Sequence, residues 1–208
     1  MTLIEYTSVR IRENRDPLVN LAVFNFILEP KYFQKGLAED SKMFIRREVG
    51  SKLERIQEKL KGYRFKIWDG HRSRVVQNNI YKKYWEELAK RNPGWNEKML
   101  KLETGKFVSP ANNPERIPPH ATGGSIDLTL VDKEGNELKM GTEFDAFGPN
   151  ANPFADISPE VTENRKILRE AMLEEDFTMD KDEWWHFDYG NQSWALNKGR
   201  PFAIYGEV

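Results

Sequence analysis

Cysteine is absent from the 208 residues. This removes disulfides, thiolate nucleophiles and any zinc site built on sulfur, so a metal here must be held by nitrogen and oxygen. Histidine is nearly as scarce, with only His71, His120 and His186 in the chain. Long apolar runs are missing too. "LAVFNFIL", residues 21–28, is far short of a membrane span and lacks the basic lead-in of a secretory leader. No membrane partner is expected. The sequence as given reads as a cytoplasmic protein, or a periplasmic one if a leader has been removed. Neither sign of charge dominates: the net charge is −1. No basic block with interleaved aromatics is present, which argues against nucleic acid as a partner.

What is present suits a globular core. Hydrophobic residues make up 38% and charged residues 31%, with six Trp, seven Tyr and twelve Phe, too aromatic for a disordered chain. The length fits one domain over residues 1–208, with 1–40 as an irregular N-terminal segment packed on it.

From Ser41 as N-cap, Ile45, Val49, Leu53, Ile56 and Leu60 recur at helical spacing until Gly62. "YRFKIWDG" predicts a strand, and a helix from Ser73 carries Val76, Ile80, Tyr84 and Leu88 as far as "NPG". "NEKMLKLETG" predicts a short third helix. "SPANNPERIPPHATGG", with four prolines and two glycines, predicts a loop. "SIDLTLV" alternates as a strand, and "DKEGNE" turns it toward "LKM". After the aperiodic stretch "GTEFDAFGPNANPFADI", Ser158-Pro159 starts a helix with Val161, Leu168, Met172 and Phe177 inward. "EWWHFDY" and "FAIYGEV" predict closing strands. The class expected is α+β, a mainly antiparallel sheet packed with helices.

Four stretches carry candidate chemistry. In "HATGGSID" two glycines let His120 fold back toward Asp127, which shares a strand face with Thr129, opposite Ile126, Leu128 and Leu130. An imidazole and a carboxylate so placed suit zinc, although a loop histidine near a solvated aspartate has the same spacing. In "DEWWHF", Glu183 and His186 would face opposite sides of a regular strand. They can meet only if Glu183 precedes the strand or lies on a bulge. The alternative is a buried tryptophan pair with a core histidine. In "WDGHRSR", Arg72 and Arg74 stand between a strand and a helix, where a guanidinium can serve an oxyanion or simply balance surface charge. In "MGTEFDAFG", Asp145 sits between Phe144 and Phe147, either to hold a cation or to cap a turn.

Together and in order, "WDGHR", "HATGGSIDLTL", "MGTEFD" and "EWWHF" resemble the D-alanyl-D-alanine dipeptidase family of zinc metallopeptidases, which includes the dipeptidases of vancomycin resistance. The resemblance runs from Tyr63 to Tyr189, with a weaker echo at Asn25-Phe26. It implies a catalytic zinc cleft with one zinc ion per chain, held by His120, Asp127 and His186. It implies Glu183 as general base and acid, Arg72 as the transition-state arginine, and Asp145 as a carboxylate for the substrate's amino end. The implied substrate is a small dipeptide, D-Ala-D-Ala, cleaved to two D-alanines. The chain departs from some relatives at Pro118-Pro119, where serines precede the first zinc histidine, and at His71, where a tyrosine is familiar. A related peptidoglycan D,D-carboxypeptidase or endopeptidase, or a metal-holding protein without catalysis, are the competing readings. A bare metal-binding role would need neither Glu183 nor Arg72.

Overall fold

The two apolar strands read from the sequence form the middle of the main sheet. A computed structural model describes residues 3–113 and 117–208 of the chain. The first half contains α1 (Leu3–Ser8), β1 (Arg10–Ile11), β2 (Leu18–Asn20), β3 (Ile27–Leu28), α2 (Lys31–Gln34), β4 (Phe44–Arg46), α3 (Arg47–Lys59) and β5 (Arg64–Asp69). The second half contains α4 (Arg74–Arg91), α5 (Glu97–Phe107), β6 (Ser125–Val131), α6 (Pro159–Glu174), β7 (Thr178–Met179), β8 (His186–Asp188), α7 (Gln192–Asn197) and β9 (Phe202–Ala203). Among the described residues the main sheet has the order β3-β5-β6-β8-β7, with only the β3–β5 pair parallel. This is the expected α+β class with a mainly antiparallel sheet. No helix among the described residues is long and apolar enough to cross a membrane.

Strand β6 is buried along its whole length. Ile126, Leu128 and Leu130 pack into the core with Phe65 and Ile67 of β5, while the alternate positions Ser125, Asp127 and Thr129 face the other side. The helices follow the capping rules. Ser73 accepts from Val76 N, Asn96 from Met99 N and Ser158 from Val161 N, each satisfying a donor that the first turn leaves open. Pro159 stands at the start of α6, where its missing N–H costs nothing.

Several expectations are corrected. Ser41 does not cap a helix. Phe44–Arg46 is a strand that pairs antiparallel with Leu18–Asn20, and α3 starts only at Arg47. Ile45 and Val49 are both fully buried, so a strand running straight into a helix imitates one continuous helical stripe. The N-terminal segment is not irregular throughout, since Ile27–Leu28 forms the edge of the main sheet beside β5. "EWWHFDY" supplies only three strand residues and "FAIYGEV" two, the latter pairing with Arg10–Ile11. The proline-rich loop contains a 3₁₀ turn at Pro119–Thr122. Its residues 114–116 lie outside the described residues.

The buried Arg46 joins distant parts of the chain. Its guanidinium pairs with both oxygens of Glu13 at 3.1 Å and donates to the carbonyls of Thr122 and Gly206. The N-terminal segment, the 3₁₀ turn and the last residues are thereby tied to one side chain.

Candidate metal centre and active site

The site grows out of strand register. Asp127 of β6 lies directly opposite His186 of β8, and Ser125 lies opposite Asp188. Opposed residues of an antiparallel pair point to the same face, so four polar side chains share one patch of the sheet. A one-residue shift between Ile67 and Asp69 sets Asp69 opposite Asp127 as well. Such bulges re-aim side chains beside active sites. His120 arrives from the 3₁₀ turn, which Pro119 starts and Gly123 ends at φ +69°. At Gly123 a Cβ would meet only the movable end of the Leu18 side chain at 2.5 Å, so it is the left-handed backbone that calls for glycine.

Three ligand atoms converge. His186 Nδ1 lies 3.0 Å from Asp127 Oδ1, His120 Nε2 lies 3.3 Å from Asp127 Oδ2, and the two imidazole nitrogens are 3.1 Å apart. All three side chains are buried. The outer nitrogens are already committed. His120 Nδ1–H donates to Gly70 O at 2.7 Å, and His186 Nε2–H donates to Asp188 Oδ1 at 3.1 Å. In the neutral imidazoles those bonds leave the inward nitrogens as lone pairs, the orientation a metal requires. Two imidazole nitrogens, one carboxylate oxygen and an anchored outer layer fit a divalent metal with a nitrogen and oxygen ligand preference, and leave further positions for other ligands.

The electrostatics favour an ionised Asp127 and, until a cation takes its place, a proton on His186. Burial alone would raise the Asp127 carboxyl, but the facing His120 and His186 outweigh it and hold the group well below the usual carboxylate range. Burial lowers His186, yet Asp188 and Asp127 reverse that and push it well above the ordinary histidine value. A proton and a cation compete for the same lone pairs at such a site. Asp69 is raised by burial against the opposing pull of Arg72 and His120.

Glu183 precedes β8. A turn closed by His186 N donating to Glu183 O at 3.4 Å carries Trp184 and Trp185 between the two, so the parity conflict of a regular strand does not arise. Burial, opposed by His186 and reinforced by Asp180, Asp127 and Asp145, holds the Glu183 carboxyl well above the ordinary range. Both indoles are buried. Trp184 donates from Nε1 to Thr142 Oγ1 at 2.8 Å, and Trp185 meets Phe144 edge-on. They anchor this turn to the loop that carries Asp145.

Arg72 is nearly surrounded. It donates to Asp69 Oδ2 at 2.8 Å, Gln77 Oε1 at 3.0 Å, Tyr32 Oη at 3.2 Å and Asp127 Oδ2 at 3.3 Å. Asp145 accepts from Tyr32 Oη at 3.1 Å and from Lys35 Nζ at 2.6 Å. A cavity of about 960 Å³ is lined by Arg72, His120, Asp127, Asp145, Glu183 and His186, with Pro118 and Pro119 at its wall. All six candidate residues therefore border one space. His71 does not. It faces a smaller cavity of about 390 Å³, and its ring bonds Val208 O.

Sequence reasoning missed the supporting residues. Asp188 lies two positions after His186, the spacing that puts strand residues on one face, so strand periodicity could have found it. Asp69 ends the strand stretch "YRFKIWDG", whose pattern gives no reason to single it out. Tyr32 and Lys35 carried no local signal, since they come from a distant short helix and the residue that follows it.

A family model described as D-ala-D-ala dipeptidase matches residues 34–202. Among curated relatives, the D-alanyl-D-alanine dipeptidase of Synechocystis is 29% identical over 168 residues, covering 68% of each chain. That of Escherichia coli is 37% identical over 70 residues, covering 33% of this chain and 36% of its own. That of Enterococcus faecium is 28% identical over 128 residues, covering 61% and 62%. A solved structure of VanYB in complex with D-alanine-D-alanine aligns with 93% of this chain and 93% of its own at 15% identity, with a TM-score of 0.49.

Proposed function

The chain belongs to the D-ala-D-ala dipeptidase family of metallopeptidases, and from that premise we propose that it hydrolyses D-Ala-D-Ala to two D-alanines with one zinc ion per chain held by His120, Asp127 and His186. The observation that carries this reading is the single cavity bordered by those ligands together with Glu183, Arg72 and Asp145. A protein that only stores metal needs neither a buried carboxyl nor a buried guanidinium beside the ligands.

Zinc, when bound, supplies Lewis acidity, polarising the scissile carbonyl and making a water acidic enough to lose a proton near neutral pH. Glu183 takes the proton of the attacking water and passes it to the amide nitrogen that leaves. A carboxyl raised by burial suits both halves of that task, because it is basic enough to accept and acidic enough to return the proton. Arg72 stabilises the negative charge developing on the carbonyl oxygen, and losing one such donor typically costs about 100- to 1000-fold in rate. Asp69 and Gln77 fix the guanidinium in place, so little reorganisation accompanies the reaction. Asp145 attracts the ammonium of the dipeptide and so holds its one peptide bond in register with the water.

One observation favours a second reading. The cavity, at about 960 Å³, is larger than two alanines fill and lies at the upper end of ordinary ligand pockets. This supports a D,D-carboxypeptidase acting on longer peptides of the cell wall.

The test is product analysis. Zinc-loaded protein incubated with D-Ala-D-Ala should release two D-alanines per turnover. The Glu183→Ala variant should keep one equivalent of zinc and lose about 100- to 10,000-fold in rate. Near-normal turnover in that variant would remove Glu183 from the chemistry. Absence of bound zinc in the parent protein would remove the metal centre.

A further inference from the structure

Asp145 is held at a left-handed φ of +63°, a state that aspartate tolerates but that needs support from its surroundings. The support is polar and aromatic. Tyr32 Oη and Lys35 Nζ donate to its two oxygens. The Lys35 ammonium also stands 5.6 Å from the Tyr32 ring centroid and 5.0 Å from that of Phe144. A carboxylate flanked by two aromatic rings is a receptor for an ammonium group, and the chain's own ammonium is seated in it.

This receptor adjoins the metal centre. Tyr32 and Asp145 both line the main cavity. Tyr32 Oη accepts from Arg72 Nη2, which in turn reaches Asp127 Oδ2 at 3.3 Å. Lys35 is the first residue beyond α2 and its side chain is 35% exposed. Its stem can therefore swing into water without disturbing the core, leaving Asp145, Tyr32 and Phe144 in place.

We propose that Lys35 is a specificity-determining residue: it competes with the substrate's amino terminus for the receptor formed by Asp145, Tyr32 and Phe144. It thereby weakens free dipeptides relative to peptides whose amino end is acylated. This rests on the dipeptidase reading above. A free ammonium must displace Lys35 before it can pair with Asp145. An acylated amino end carries no charge, does not pair with the carboxylate and leaves Lys35 where it is.

The experiment measures binding, so that turnover does not intervene. Zinc-loaded Glu183→Gln protein is titrated calorimetrically with D-Ala-D-Ala and with N-acetyl-D-Ala-D-Ala, alone and combined with Lys35→Ala or Lys35→Arg. Lys35→Ala should bind the free dipeptide about three- to tenfold more tightly, the range for releasing a partly exposed ion pair with its ring contacts, and should bind the acetylated peptide unchanged. Lys35→Arg should stay near the parent because a guanidinium refills the receptor. Equal changes for both ligands, no change, or weaker binding of the free dipeptide in Lys35→Ala would overturn the proposal. Hydrolysis by the parent enzyme separates the two levels. If it splits D-Ala-D-Ala while Lys35→Ala shows no selective gain, only the role of Lys35 fails. If it neither binds nor cleaves either peptide, the dipeptidase reading fails and this proposal with it.

Discussion

Removing Asp188 should weaken metal binding although Asp188 is not itself among the three residues proposed as ligands. One oxygen, Oδ1, accepts from Ser125 Oγ at 2.6 Å, from Asn191 Nδ2 at 2.6 Å and from His186 Nε2 at 3.1 Å. Two of these donors hold the carboxylate in position, and the third bond fixes the tautomer and plane of the His186 ring. In Asp188→Ala the outer nitrogen of His186 loses its acceptor, and the ring loses both its orientation and the basicity that a neighbouring anion supplies. Outer-layer losses of this kind lower metal affinity about 10- to 100-fold, or about 1.4–2.8 kcal/mol. Asp188→Asn keeps an oxygen for the three donors and loses only the charge, so its affinity should fall between parent and alanine variant.

The pH dependence of this effect has a definite sign. Burial lowers His186, but Asp188 and Asp127 raise it well above the ordinary value, so Asp188 strengthens the binding of a proton as well as that of a metal. The affinity gap between parent and Asp188→Asn should therefore be widest at high pH and narrow on acidification. Competition against a fluorescent zinc chelator measures both variants across pH, with circular dichroism confirming the fold. An alanine variant that folds and binds zinc as tightly as the parent would refute the argument that His186 is positioned through Asp188.

Three further outcomes are expected. Arg165 donates to the carbonyls of Met140, Asn150 and Asn152 at 2.7–2.8 Å and so braces the loop carrying Asp145. Arg165→Met should cost about 2–4 kcal/mol and raise KM for the dipeptide, and an unchanged thermal midpoint would contradict that role. Glu13 is raised by burial, but the Gly206 and Arg15 amides and Arg46 outweigh this and lower its carboxyl. Its contribution to stability is thus present at neutral pH and is lost as pH falls below the ordinary glutamate value of about 4.3. Glu13→Gln should be less stable than the parent at pH 7, with the difference closing in acid, as denaturant titrations at several pH values would record. Arg72→Ala should lower kcat about 100- to 1000-fold, and a rise in KM with kcat unchanged would place Arg72 in binding alone.

Much of the site was legible because its residue types are scarce and its motifs are local. Three histidines and no cysteine left few ways to build a metal centre, and strand alternation put Asp127 on the face away from Ile126, Leu128 and Leu130. The conflict of parity between Glu183 and His186 required Glu183 to precede the strand or lie on a bulge, and the turn through Trp184 and Trp185 places it before the strand. Helices with clean caps at Ser73 and Ser158 were equally readable.

Other features depended on partners far away in sequence. Phe44–Arg46 becomes a strand because Leu18–Asn20 lies beside it, and this pairing overrides the apparent helical spacing that begins at Ile45. The bulge that brings Asp69 opposite Asp127 is a matter of register, which composition does not encode. Lys35 and Asp145 stand 110 positions apart, so their pairing emerges only in the folded chain.

The proposed reaction delivers a metal-activated water to the one peptide bond of a small D,D-dipeptide. Steady-state kinetics of the zinc-loaded protein test it most directly, with D-Ala-D-Ala, L-Ala-L-Ala and a tripeptide ending in D-Ala-D-Ala compared side by side. The highest kcat/KM is expected for D-Ala-D-Ala, with loss of that activity on chelation and its return with zinc. Preference for the tripeptide, or hydrolysis that persists without metal, would contradict it.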